Sequence, residues 1–247
     1  MNGRSVSWLA AAGLLVAAPV LAQPAPLTDR AFVSVNGGLE TATASFSGVS
    51  HPITFIEPAT VNTTYPVKAA PAFDVGGGIR IWRRLAAGAR VERFSSKGTG
   101  GVTAQVPHPF LVEHLRPVAG DATGLRRTET ALDVLVSWLM PVSARAELTL
   151  SAGPSLFSVS QDLVADVVVS QSYPYDAAQY ASAVTQRASK SAIGFNVSGD
   201  VTYLLARHVG VGASVIFSRA DARLPGTPET AVTAGGAHVG GGLRLRF

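Results

Sequence analysis

The chain has 247 residues, no cysteine, a mean hydropathy of +0.28 and a formal charge of +4. The lack of cysteine excludes a disulfide scaffold, thiol catalysis and Cys-ligated metal sites. The small charge excess is scattered, whereas a nucleic-acid surface needs a basic stripe with interleaved aromatic residues, so we expect no nucleic-acid partner.

The N-terminus has the three-part pattern of a secretory signal peptide. Arg4 precedes an apolar run from Trp8 to Leu21, and Val20 and Ala22 occupy the −3 and −1 positions before Gln23. Small residues at these positions favour cleavage. A membrane anchor is the alternative, but the run is shorter than the roughly 20 residues that a spanning helix needs.

Beyond this run, no apolar stretch approaches the roughly 18 residues of a transmembrane helix. Apolar and polar residues instead alternate with a period of two, which is typical of β-strands with two different faces. In chain order the alternation predicts strands at 30–43, 71–82, 85–95, 124–140, 144–169, 186–205, 208–223 and 230–247.

The fourth of these strands has the clearest faces. Leu132, Val134 and Val136 lie on one face, and Asp133 and Ser137 lie on the other. Because the polar set cannot form the apolar core of a sandwich or lipocalin, we expect the apolar face to contact lipid. A sheet in lipid must close, since an open edge would leave backbone groups unpaired.

Connections between the predicted strands alternate in length. Short turns fall near Arg83, Val142 and Arg207, and longer loops fall near 46–70, 97–123 and 170–186, with a smaller loop at 224–229. This alternation is typical of transmembrane barrels, which have short periplasmic turns and longer extracellular loops.

The predicted fold is an eight-stranded, antiparallel, up-and-down transmembrane β-barrel with a polar interior. Segments 53–67 and 101–118 could lengthen strands above the membrane, or form a hairpin that makes ten strands. The predicted organisation is a cleaved signal peptide at 1–22, a short segment at 23–29 and the barrel at 30–247.

The two ends of the barrel segment resemble known outer-membrane proteins. The C-terminal stretch from Val239 alternates apolar residues and ends in phenylalanine, and residues 31–38 (AFVSVNGG) are similar to the first strand of small OmpA- or OmpW-like barrels. The resemblance implies location in the bacterial outer membrane. It also implies that the barrel assembly machinery recognises Leu243, Leu245 and Phe247.

Three aromatic residues fall on outward faces near the short-turn end. Trp138, Tyr203 and Phe247 would form a periplasmic-side girdle of the kind that borders membrane barrels.

Charged residues on the inward faces form the richest candidate site. Arg90 and Asp133 lie on neighbouring predicted strands, and we expect Glu147 and Arg244 to form a second pair nearer the short turns. An eight-stranded barrel is only wide enough to be filled by side chains, so its charges must pair or be hydrated. The predicted lumen charge network consists of Asp74, Arg90, Glu92, Asp133, Glu147, Asp200 and Arg244.

Three functional hypotheses remain open. The leading one is a structural or surface-binding role with a largely plugged lumen, in which loop residues such as Phe110, Leu111, Tyr173, Tyr175 and Tyr180 could form a binding surface. The alternative is a porin-like passive channel for small solutes, because inward glycines leave room for water. A third is a lipid-modifying enzyme, which would need a nucleophile and an activating partner at one rim.

We expect no metal, because the five histidines show no paired-ligand spacing. We expect no catalytic residues, because no Ser–His–acid set is visible at one strand rim, and we expect no cofactor. Expected partners are outer-membrane lipid and lipopolysaccharide, and we expect a monomer.

Overall fold

The computed structural model describes residues 29–41, 45–226 and 228–247. The predicted signal peptide and nearly all of the segment at 23–29 lie outside these residues. Within the described ranges, no helix has both the length and the apolarity needed to cross a membrane. The described residues form thirteen β-strands: β1 (Ala31–Glu40), β2 (Phe46–Ser50), β3 (Ile53–Thr54), β4 (Glu57–Pro58), β5 (Thr60–Tyr65), β6 (Ala70–Trp82), β7 (Leu85–Pro107), β8 (Leu115–Pro141), β9 (Ala146–Gln171), β10 (Ala178–Leu204), β11 (Val209–Leu224), β12 (Thr230–Ala234) and β13 (Ala237–Arg246).

Eight of these strands close into a ring. Its order is β1–β6–β7–β8–β9–β10–β11–β13, and β13 pairs again with β1. Every pairing is antiparallel, and Val35 of β1 lies opposite both Val75 of β6 and Leu243 of β13. The predicted eight-stranded up-and-down barrel is confirmed. Closure gives every strand of the ring two neighbours, which satisfies the backbone without an exposed edge.

One end of the barrel carries the short turns, and we call the opposite end the hairpin end. At the hairpin end the strands extend much further than predicted. The sequence prediction of loops at 97–123 and 170–186 is wrong, because β7 and β8 stay paired up to Pro107 and Leu115, and β9 and β10 up to Gln171 and Ala178. Glycines and prolines in these segments suggested loops, but the segments also keep a period-two pattern, which decides the structure.

The segment between β1 and β6 adds strands beside the ring rather than within it. β5 pairs with the extended part of β7, and β2 pairs with β5. Segments 53–67 and 101–118 therefore lengthen the wall beyond the ring, and the alternative of ten barrel strands is wrong.

The two faces of the strands exchange character along the barrel. On β7, Val91 faces outward and Glu92 inward in the short-turn half, whereas Arg93 faces outward and Phe94 inward just beyond. On β11, outward Phe217 is likewise followed by outward Arg219 with Ala220 inside. On six strands of the ring, the last outward apolar residues of the belt are Val91, Leu132, Leu156, Ile193, Phe217 and Val239.

Beyond that level the interior is apolar. One cluster surrounds Phe157 and Val159, and a second surrounds Tyr65, Val102 and Val164. The prediction that the inward face is polar holds for the short-turn half but is wrong for the hairpin end. There the wall stands outside hydrocarbon and packs as a water-soluble sheet does, with apolar residues inside.

Candidate functional site

The lumen nearest the short turns contains an ion pair that crosses it. Arg246 of β13 donates to both carboxylate oxygens of Glu147 on β9, with Nη2–Oε1 2.6 Å and Nη1–Oε2 3.2 Å. Two strands separate β13 from β9 in the ring. The expected pair of Glu147 with Arg244 is therefore wrong, because Arg246 is the β13 side chain that reaches across the barrel to this carboxylate.

Arg244 instead pairs with Asp200 of β10. Its Nη1 also donates to Asn36 Oδ1 at 2.5 Å, and Asn36 Nδ2 donates to Asp74 Oδ1 at 2.7 Å. Thr202 Oγ1 donates to Asp200 at 2.9 Å. These contacts link β13, β10, β1 and β6 through one continuous set of hydrogen bonds.

Arg90 and Asp133 lie directly opposite each other on β7 and β8. Asp133 Oδ2 accepts from Arg90 Nε at 2.9 Å and from Nη2 at 2.7 Å, and the Asp133 side chain is fully buried. Arg90 Nη1 also reaches Ser198 Oγ on β10 at 3.2 Å. Asn196 of β10 in turn donates to Ser155 on β9 at 2.9 Å, so these contacts connect β7, β8, β9 and β10.

His238 of β13 completes the interior contacts. Its Nδ1 lies 2.8 Å from Glu92 Oε1 on β7 and 3.7 Å from Asp74 Oδ2 on β6. The second oxygens of Glu92 and Asp74, and His238 Nε2, are buried without a hydrogen-bond partner in the described part of the chain. Buried polar atoms of this kind are usually satisfied by ordered water.

Sequence reasoning left several interior residues out of the network. Arg127 Nε donates to Glu129 Oε1 at 2.5 Å, and Glu129 Oε2 accepts from Gly235 N at 2.7 Å. His238 and Arg246 also lie in the lumen and are absent from the predicted network. The available signal for Arg127, Glu129, His238 and Arg246 was their position on the inward face of the alternating pattern. Their partners across the lumen cannot be deduced from strand order.

The cavity among these side chains has a volume of about 60 Å³. Its lining includes Asp74, Arg90, Glu147, Asp200 and Arg244. Such a volume accommodates a few water molecules. At the level of the charges the interior contacts therefore leave only this small cavity, whereas a larger pocket of about 450 Å³ lies nearer the hairpin end, among Tyr65, Val164 and Ala188.

The predicted aromatic girdle and terminal residues lie on the outer surface. Trp138, Tyr203 and Phe247 are exposed near the short turns, and Leu243 and Leu245 point outward on β13. Trp82 is also exposed beside the turn at residues 83–84, where Arg83 lies 5.5 Å from its ring centroid.

The hairpin end carries a second candidate site, an apolar surface formed by three adjoining hairpin tips. These tips are the turns between β7 and β8, between β9 and β10, and between β3 and β4. We call it the distal patch and define it by Ile53, Phe55, Ile56, Phe110, Leu111, Val112, Tyr173 and Tyr175. Phe110, Tyr173 and Ile56 are 74%, 85% and 96% exposed. Phe110 contacts Tyr175 at a ring distance of 5.5 Å, which joins two of the tips. Tyr180, also proposed for this surface, lies lower on the wall, where its hydroxyl donates to Asp121 O at 3.1 Å.

Polar contacts hold the tips in place, and most of them are made by one buried side chain. Arg116 is 2% exposed, and its guanidinium donates to Pro107 O at 2.7 Å, to Tyr175 O at 2.9 Å and to Gln171 Oε1 at 2.6 Å. An exposed hydrogen bond, from Glu113 N to Glu57 Oε1 at 3.0 Å, connects the third tip. The patch is therefore supported from inside by a charged group with three acceptors.

The third tip has an unfavourable backbone. Phe55 and Ile56 adopt φ angles of 51° and 76° between β3 and β4. Two-residue hairpin turns with positive φ normally use asparagine and glycine, and a β-branched residue there is an outlier. Strained residues of this kind occur at functional sites more often than elsewhere.

No group of three or more histidine, aspartate or glutamate side chains within the described ranges could hold a metal ion. The described geometry thus provides two candidate sites, the filled lumen and the distal patch.

No protein-family model matches the chain, and no curated protein matches it. Among solved structures, the chain is similar to Neisserial surface protein A, with 12% identity over 88% of this chain and 97% of that one at a TM-score of 0.45. The outer membrane protein OprG from Pseudomonas aeruginosa matches with 9% identity over 89% and 96% at 0.48. The outer membrane protease OmpT from Escherichia coli matches with 11% identity over 92% and 99% at 0.44. Identities this low transfer no residue role.

The geometry of the chain itself defines its class. A closed antiparallel ring, an outward apolar belt and a polar interior at the level of that belt are the features of bacterial outer-membrane β-barrels. With eight strands in the ring, the protein is a small barrel of the outer membrane, as the sequence predicted.

Proposed function

We propose that the protein is a surface-binding protein whose filled barrel holds the distal patch away from the membrane. The observation that supports this most directly is the distal patch itself. Large exposed apolar areas on a folded protein usually mark interaction sites. The tips that form this one are joined by hydrogen bonds, most of them from the buried Arg116.

The orientation follows from the connections. Short turns of membrane barrels lie on the periplasmic side, so the hairpin end faces outward from the cell. The distal patch is then the part of the described chain that a partner at the cell surface would meet first.

Charge indicates the kind of partner. The charged residues on the three tips are Glu57, Glu113 and Asp176, besides the histidines and the buried Arg116. An apolar surface with an acidic rim complements a polypeptide that combines apolar or aromatic side chains with lysine or arginine.

Selection of a random peptide library on the protein in lipid nanodiscs tests the proposal. We expect enrichment of basic, aromatic peptides, and we expect a Phe110→Ser/Tyr173→Ser variant to lose them. Serine substitutions of apolar residues on the membrane-facing wall would impair folding and cannot serve as a control. The control is therefore Thr103→Ala, on the exposed outer wall beyond the apolar belt. Peptides that bind wild type and the tip variant equally would contradict the proposal.

A further inference from the structure

Positive charge is aligned on the outer wall beyond the apolar belt. Lys97 of β7 lies directly opposite Arg126 of β8, and both are exposed. On the next two strands, Asp162 lies directly opposite Arg187, and Asp162 Oδ2 accepts from Arg126 N at 3.0 Å. These four residues, Lys97, Arg126, Asp162 and Arg187, form what we call the basic row.

The basic row has an uncompensated excess of positive charge. Arg187 pairs with Asp162 at 3.7 Å. An ion pair requires a nitrogen–oxygen distance of 4.0 Å or less. Among the described residues, no carboxylate lies that close to the side chain of Lys97 or Arg126. Like charges directly opposite each other on antiparallel strands destabilise a sheet. An anion between the two side chains would remove the repulsion and supply charge-assisted hydrogen bonds.

The height of the basic row selects the anion. Lys97 and Arg126 each lie six residues beyond the end of the apolar belt, at Val91 and Leu132. At ~3.3 Å per residue and a strand tilt of ~40°, this places them roughly 15 Å above the hydrocarbon. Phospholipid headgroups extend only about 5–8 Å beyond the hydrocarbon, so their phosphates lie too low.

The wall below the basic row also suits a sugar. Outward side chains between the belt and the row are mostly hydroxyl-bearing: Ser95, Thr128, Thr130, Ser158, Ser160, Ser189 and Ser191. Hydroxyl groups both donate and accept hydrogen bonds, as saccharides do. Arg93, only two residues beyond Val91, lies near the height of the lipid phosphates.

We propose that the basic row binds a phosphorylated saccharide in the headgroup of an outer-leaflet glycolipid, with the phosphate between Lys97 and Arg126. The inference rests on the outward orientation of the hairpin end given under the proposed function. It does not depend on the distal patch, which lies further from the membrane on the hairpin tips.

The test measures binding of lipopolysaccharide with a phosphorylated core to the full mature chain in phosphatidylcholine nanodiscs. Parallel arms use the same lipopolysaccharide after enzymatic removal of its phosphates, and phosphatidylglycerol. We expect Lys97→Gln/Arg126→Gln to bind the phosphorylated glycolipid about tenfold more weakly than wild type, and to bind the dephosphorylated form as wild type does.

The matched control is Arg145→Gln/Arg207→Gln, which removes two exposed charges at the short-turn end and should bind as wild type. Heat-modifiable gel migration confirms that each variant is folded. Equal binding by wild type and Lys97→Gln/Arg126→Gln, or wild-type preference for phosphatidylglycerol, would overturn the proposal. Peptide binding at the distal patch, measured on the same samples, shows separately whether the proposed function fails.

Discussion

At the scale of single residues, the short-turn half of the barrel holds several buried or largely buried ion pairs: Arg90–Asp133, Arg244–Asp200 and Arg246–Glu147. Asp133 is fully buried, yet it accepts two hydrogen bonds from one guanidinium. Removing one partner of a buried ion pair leaves the other charge uncompensated, which costs far more than the pair contributes when intact. Stability should therefore respond strongly to single neutralisations inside the lumen.

Asp133→Asn leaves the buried Arg90 without its counter-charge. We expect the free energy of unfolding to fall by about 3–5 kcal/mol, as measured by urea titration in lipid vesicles. Asp221→Asn is the matched control, because this carboxylate is 76% exposed, and it should change stability by less than about 0.5 kcal/mol. Equal effects of the two substitutions would show that Asp133 is not buried as described.

The pairing of Arg246 with Glu147 predicts energetic coupling between these two residues. In a double-mutant cycle with Arg246→Gln and Glu147→Gln, we expect a coupling energy of about 1–3 kcal/mol. The control cycle combines Glu147→Gln with Arg244→Gln, which should show weaker coupling because Arg244 pairs with Asp200. Stronger coupling in the control cycle would restore the pair that the sequence alone suggested.

At the scale of strands, close backbone approach fixes where glycine is required. A Cβ on Gly242 of β13 would lie 1.8 Å from Val35 O on β1, whereas a Cβ on Gly101 of β7 would meet nothing within 4 Å. Both residues belong to strands of the ring, so the difference comes from local packing alone.

Gly242→Ala should consequently impair closure of the ring between β13 and β1, whereas Gly101→Ala should not. The measurement is the folded fraction by heat-modifiable gel migration after insertion into vesicles. A folded fraction for Gly242→Ala as high as that for Gly101→Ala would contradict the described register of these strands.

The hairpin tips depend on Arg116. Arg116→Met removes the donors to Pro107, Gln171 and Tyr175 but keeps an apolar stem, so we expect faster proteolysis within 108–115 and 172–177 while the ring stays folded. Arg223→Met, an exposed change on β11, is the control. Unchanged cleavage at both tips would show that Arg116 does not hold them.

Sequence periodicity predicts the membrane half of this barrel well. The expected strand at 71–82 corresponds to β6 at Ala70–Trp82, because alternation between lipid and lumen is strict there. The hairpin end was mistaken for loops because Gly98, Gly100 and Gly101 interrupt the pattern.

Contacts across the lumen are less accessible to sequence reasoning. Neighbouring strands can be inferred from their order, which is how Arg90 and Asp133 were paired. Arg246 and Glu147 lie on strands with two others between them. Their contact depends on the curvature of the ring and on side-chain reach, neither of which is encoded in a local pattern.

At the scale of the whole molecule, a filled lumen predicts that the barrel does not conduct. In planar bilayers we expect no steady open events from the wild-type protein, because the cavity between the interior charges holds only about 60 Å³. Steady ohmic conductance would instead favour the passive channel. Conductance that rises in Asp133→Asn without loss of folding would favour a gated path.

The central claim is that the apolar face meets hydrocarbon only in the short-turn half, and that the faces exchange character beyond it. Because the chain has no cysteine, single cysteines at Val136, Ser137 and Thr103 can each bear one fluorophore in vesicles that contain brominated lipids. We predict strong quenching at position 136 and little at 137 or 103. Strong quenching at 137, or at 103 on the outer wall beyond the belt, would contradict it.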